Sequence, residues 1–66
     1  MFEIRCENQV EVGLIRRIAR IFGANLEICD QDPDSTWFVM NELPSSADED
    51  AIEEAISEVT SAFERI

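Results

Sequence analysis

The chain has 66 residues, 45% of them apolar and 30% charged, with 15 acids against 5 bases for a net charge of −10. That length allows one domain over residues 1–66 with a single small core, and the apolar share excludes a disordered chain. No apolar run approaches a membrane span, and Met1-Phe2-Glu3 lacks the basic and apolar regions of an export signal, so a cytoplasmic protein is expected.

Phe2, Ile4 and Cys6 alternate with Glu3, Arg5 and Glu7, the period of a strand with one buried face. From Leu14 the period becomes helical. Leu14, Ile15, Ile18, Ile21 and Phe22 form the expected core stripe, Arg16, Arg17 and Arg20 lie opposite, and Gly23 supplies the stop. The start is open between a capping box of Asn8 with Glu11 and a later start at Gly13. Leu26 and Ile28 belong to a second strand, and Asp30 to Ser35 has the composition of a turn.

Trp37-Phe38-Val39-Met40 is a third strand, apolar on both faces, which suits the centre of a sheet or a face that meets a partner. Pro44 follows it. Ser46-Ala-Asp-Glu49 then has the form of a capping box opening a second helix, whose stripe of Ile52, Ile56, Val59, Phe63 and Ile66 runs to the last residue. The expected fold is α+β, in the order β-α-β-β-α. Its three-stranded antiparallel or mixed sheet has strand three between strands one and two, which run parallel to each other, and both helices on one face. This is a truncated ferredoxin-like arrangement. The other face of the sheet stays open, carrying Glu3, Arg5, Glu7 and Glu27 with either Trp37 and Val39 or Phe38 and Met40. That face could meet a partner or be covered by loops or by a second copy in a homodimer.

The stretch from Val12 and Gly13 through Arg16, Arg17, Arg20 and Gly23 to Asn25 and Ile28 resembles the first helix and second strand of ACT domains, loosely over residues 2–43. The family's glycine falls on Gly13 and its strand-entry asparagine on Asn25, while Val12 stands where the family has proline. The resemblance implies a ferredoxin-like fold and a module that binds small ligands or dimerises.

Catalysis finds little support. There is no histidine, lysine or tyrosine, so a base near neutral pH would need a perturbed carboxylate or thiolate, and no catalytic residue is assigned. Cys6 and Cys29 are read as reduced, largely packed thiols. Asp30, Asp32 and Asp34 match the first three ligand positions of a calcium loop. Ser35, however, stands where that loop needs glycine, and Asn41 where it needs glutamate. An acidic hairpin turn is expected, with no metal or cofactor.

The charge is unevenly placed. Residues 1–20 sum to +1 and residues 21–66 to −11. On the second helix Asp50, Glu54 and Glu58 form an i, i+4, i+8 row and Glu49 with Glu53 a second, each like-charge pair working against the helix. Such rows, repeating about every 6 Å, are on the scale of a phosphate backbone, which carries a charge per roughly 3.4 Å of axis on each strand. Small acidic phage-encoded inhibitors of restriction and CRISPR systems are similar in size and charge. The expected function is therefore a non-enzymatic inhibitor or modulator that mimics nucleic acid and binds a protein partner with a basic, nucleic-acid-binding surface. It would not bind nucleic acid or a membrane itself. The expected partner-binding residues are Asp50, Glu53, Glu54 and Glu58, with Asp30, Asp32, Asp34 and Trp37. The alternative is an ACT-like small-ligand or dimerisation module. The arginine face of the first helix could meet an acidic patch on another subunit.

Overall fold

The computed structural model describes residues 1–66. The order is β1 (Phe2–Cys6), α1 (Gln9–Phe22), β2 (Asn25–Asp32), β3 (Ser35–Asn41), α2 (Glu49–Val59) and β4 (Phe63–Arg65). The sheet order is β2-β3-β1-β4, and every neighbouring pair is antiparallel. β1 and β2 thus run parallel with β3 between them, as expected.

The fourth strand corrects the three-stranded expectation, and with it the truncation. Phe63 and Ile66 continue the spacing of Ile52, Ile56 and Val59, so periodicity alone cannot tell a longer helix from a helix followed by a short strand. The chain leaves α2 at Thr60, a β-branched residue in extended conformation whose N–H still donates to Ile56 O. Its hydroxyl donates to Arg5 O at 3.3 Å and accepts from Ala62 N at 3.1 Å, so the side chain ties the exit from α2 to β1. Phe63 then pairs with Ile4 and Arg65 with Phe2.

Both helices cover one face. The core joins Phe2, Ile4, Cys6, Phe38 and Met40 of the sheet to Val12, Ile15, Ile18 and Ala19 of α1 and Ile52 and Ile56 of α2. This selects between the two faces of the third strand, since Phe38 and Met40 point to the helices and Trp37 and Val39 away.

One open alternative is decided and two local expectations change. Asn8 caps α1 by accepting from Glu11 N at 2.9 Å, while the Glu11 carboxylate accepts from Glu7 N at 2.8 Å, so the helix starts before Gly13. The helix packs on the sheet through Val12, Ile15, Ile18 and Ala19, whereas Leu14 is 39% and Ile21 70% exposed. On α2 the cap is Asp48, accepting from Asp50 N and Ala51 N, and not Ser46. The cap lies two residues later because Ser45 and Ser46 already form a turn, with Ala47 N donating to Pro44 O.

α1 ends on Gly23 at φ 71°, with Gly23 N donating to Arg20 O and Ala24 N to Ala19 O, the paired bonds of a Schellman motif. β3 ends at Asn41, before Pro44. Glu42, at φ 52°, turns the chain there.

Candidate functional site

The uncovered face of the sheet is built by strand alternation and one bulge. β1 contributes Glu3 and Arg5, and β3 contributes Trp37 and Val39 opposite them. On β4, Glu64 faces Glu3. On β2, Glu27 faces Val39, and the register then shifts between Ile28 and Asp30, so that Asp30 faces Trp37 and Asp32 faces Ser35. Cys29 is the extra residue. Without the bulge Asp30 would share the helix side with Ile28, because side chains alternate along a strand. The bulge places Asp30 and Asp32 on the same face as Trp37, a convergence that no residue-by-residue reading of β2 could show.

The face carries the carboxylates of Glu3, Glu27, Asp30, Asp32 and Glu64 and the single guanidinium of Arg5. Arg5 lies 5.9 Å from the centre of the Trp37 ring, within cation–π range, and makes no ion pair. Asn25 Nδ2 donates to Asn41 Oδ1 at 2.9 Å, and Asn41 Nδ2 donates to Glu27 Oε2 at 3.2 Å, which orients the Glu27 carboxylate. Glu3 and Glu64 face each other on neighbouring strands with no cation bonded to either. Like charges directly opposite destabilise a sheet, and a lysine at either position would reverse the sign. Trp37 and Val39, half-buried between these strands, form the apolar centre.

The acids of α2 are not one ridge. Arg65, from β4, donates to Asp50 Oδ1 at 2.9 Å and to Glu49 Oε2 at 2.9 Å and lies 3.8 Å from Glu53 Oε2. The bonds to Asp50 and then Glu49 raise its pKa above the ordinary arginine value. The N-terminal ammonium stands 4.0 Å from Glu49. Asp50 and Glu53 therefore belong to a clamp that fastens β4 to α2. Glu54 and Glu58 remain exposed with no cation partner. The missed signal was Arg65, the only base after residue 20, which helical spacing had placed at the end of α2.

The expected turn from Asp30 to Ser35 contracts to Pro33 and Asp34, since β2 continues through Asp32. Asp30, Asp32 and Asp34 accordingly do not converge as ligands would, and no group of three or more acids or thiols could hold a metal ion. Asp30 Oδ1 accepts from Gln31 N, and Asp34 occupies the hairpin tip. Cys29 is exposed, contrary to the packed thiol expected, because the bulge sits on an edge strand that the helices do not cover. Cys6 is buried and free, its pKa pushed up to about 11 by burial and by the neighbouring Glu11 carboxylate. A thiol so shifted is protonated at neutral pH and is no nucleophile.

Two shallow concavities lie at the ends of the sheet. One of about 460 Å³ is bounded by Leu43, Pro44, Asp48 and the Arg65 clamp. The other, about 350 Å³, lies between the start of α1 and the β2–β3 hairpin. Of the positions that carry the ACT resemblance, Gly13 is on the solvent side of α1 with nothing within 4 Å of where a Cβ would stand, and Asn25 is engaged with Asn41. No protein-family model matches the chain, and no curated protein or solved structure matches it. No helix is long and apolar enough to cross a membrane.

Proposed function

We propose that this chain is a non-enzymatic binding protein whose uncovered sheet face, with Trp37 as apolar anchor, presents carboxylates to a cationic protein surface of the kind that handles nucleic acid. The observation that carries this reading is the opposition of Glu3 and Glu64 on the same sheet face that carries Glu27, Asp30 and Asp32, an acidity held at the expense of sheet stability. Alternate residues of a strand stand about 7 Å apart, so Asp30 and Asp32 present charge at a spacing that a phosphate-binding groove accepts. Glu54 and Glu58 extend the anionic surface onto α2, while Asp50 and Glu53 serve the clamp. An exposed free thiol at Cys29 suits a reducing compartment, and we place the protein in the cytoplasm.

The test is capture of partners from a host or phage-infected lysate at low and high salt. The wild-type chain is compared with E27Q/D30N/D32N and with E54Q/E58Q. Capture that falls steeply with salt and is lost in the sheet-face variant supports the proposal. Salt-insensitive capture, or capture untouched by the sheet-face variant, overturns it.

A second reading, an ACT-like ligand or dimerisation module, is favoured by β4, which completes the ferredoxin-like connectivity. A rise in melting temperature with one amino acid of a set, absent in Asn25→Ala, would support it.

A further inference from the structure

Four of the five arginines have no acidic partner. Arg65 makes every side-chain ion pair in the molecule, whereas Arg5, Arg16, Arg17 and Arg20 make none in a chain of net charge −10. Three of these stand on α1, with Arg16 at its flank over the Phe38 ring and Arg17 and Arg20 exposed. The same helix exposes large apolar side chains. Val10 is 72% exposed, and Leu14 and Ile21 continue it at i+4 and i+11, a row that points away from the core residues Val12, Ile15 and Ala19. A row of this kind, rimmed by arginine, is an unpartnered helix face.

We infer that the outer face of α1 docks on the uncovered sheet face of a second copy of this chain, in a head-to-tail contact. The two surfaces match in kind. Val10, Leu14 and Ile21 with Arg17 and Arg20 would meet Trp37 and Val39 rimmed by Glu27, Asp30 and Glu64. They also match in size, since a 14-residue helix is about 21 Å long and β1, β2 and β3, of 5, 8 and 7 residues, run about 17 to 26 Å.

Layering forbids the contact within one molecule, because α1 lies between its own outer face and the sheet, and the uncovered face is on the far side. Charge excludes the symmetric alternatives. Pairing α1 with α1 would set arginines against arginines, and pairing sheet with sheet would set carboxylates against carboxylates. The contact is therefore heterologous and, with its two halves on opposite sides of the molecule, it propagates into open chains. Self-association and capture of a cationic partner then compete for one face, although the inference does not depend on that partner.

Ionic strength gives the assembly a signature. At about 0.01 M the Debye length, roughly 30 Å, approaches the 35 Å length of the molecule, and copies of net charge −10 repel as whole bodies. At about 0.15 M the length is about 8 Å, less than the 19 Å thickness, so only facing charges are felt and they attract. At about 1 M even these are screened. Association should peak at intermediate salt.

Sedimentation velocity of the wild-type chain from micromolar to millimolar concentration, at those three ionic strengths, tests this. The expected result is a weight-average mass that climbs past twice the 7.5 kDa monomer without a plateau, most steeply at the middle salt. R17Q/R20Q/I21S and E27Q/D30N/E64Q, each folded by circular dichroism, should each stay monomeric. Mixed in equal amounts they should form a pair that grows no further, since only one intact contact is left. A wild-type chain monomeric throughout, growth that stops at a symmetric dimer, or association unchanged in either variant overturns the inference.

Discussion

Raising the pH should destabilise this protein through a single thiol. Cys6 is 1% exposed, and its pKa rises from an ordinary 9.0 to about 11, by burial first and then by the Glu11 carboxylate. The unfolded chain therefore releases this proton at lower pH than the folded one. Stability is fully present below about pH 9 and is lost as the pH climbs through about 11. A difference of about two pKa units corresponds to a limit near 2.7 kcal/mol, with about 1.4 kcal/mol gone by pH 10 and about 2.3 kcal/mol by pH 11.

A domain of this size holds about 3 to 10 kcal/mol in all, so the effect is large. The chain also has no lysine, tyrosine or histidine, which leaves few other ionisable groups over this range. The assay is urea unfolding from pH 7 to 11 in a Cys29→Ser background, with and without Cys6→Ala. Cys6→Ala should be less stable at neutral pH, having lost buried volume, but nearly flat with pH. Parallel decline of the two proteins, or no decline in either, would refute the assignment.

Two glycine substitutions should act in opposite directions. Gly13→Ala, on an exposed turn of α1 with open space around it, should stabilise by about 0.5 to 1 kcal/mol. Gly23→Ala, at φ 71° with Pro44 Cγ 3.4 Å from the added carbon, should cost about 1 to 2 kcal/mol. Thermal melts of both decide, and equal signs would contradict the helix phase and cap described above. Thr60→Val removes the hydroxyl that bonds Arg5 O and Ala62 N and should cost about 1 to 2 kcal/mol. Hydrogen exchange should quicken first at the amides of β4, and an unaltered exchange pattern would count against Thr60 as the residue that ties α2 to β1.

Much of the fold was readable from local pattern. The alternation of Phe2, Ile4 and Cys6, the change of period in α1, the glycine stop at Gly23 and the strand around Phe38 are each set by neighbours in sequence. The order of the first three strands followed from general rules of connection. The failures share a cause. Val59, Ala62, Phe63 and Ile66 keep a helical i, i+3, i+4, i+7 spacing, and the strand is formed instead because Thr60 turns the chain, with partners 55 residues away on β1 and two residues on at Ala62. Leu14 and Ile21 fit the stripe of α1 as well as Val12 and Ala19 do, until the packing on the sheet selects the face.

Composition, charge placement and hydrophobic period by themselves determined that this is a small acidic α+β chain with its negative charge gathered after residue 20. Which carboxylates stand together was decided only by tertiary structure. The bulge at Cys29 turns Asp30 and Asp32 toward Trp37, and β4 brings Glu64 opposite Glu3 and Arg65 onto Glu49, Asp50 and Glu53. Charge adds up along a chain, but Coulomb interaction falls with distance through space, so what an acidic residue does depends on neighbours that only the fold supplies.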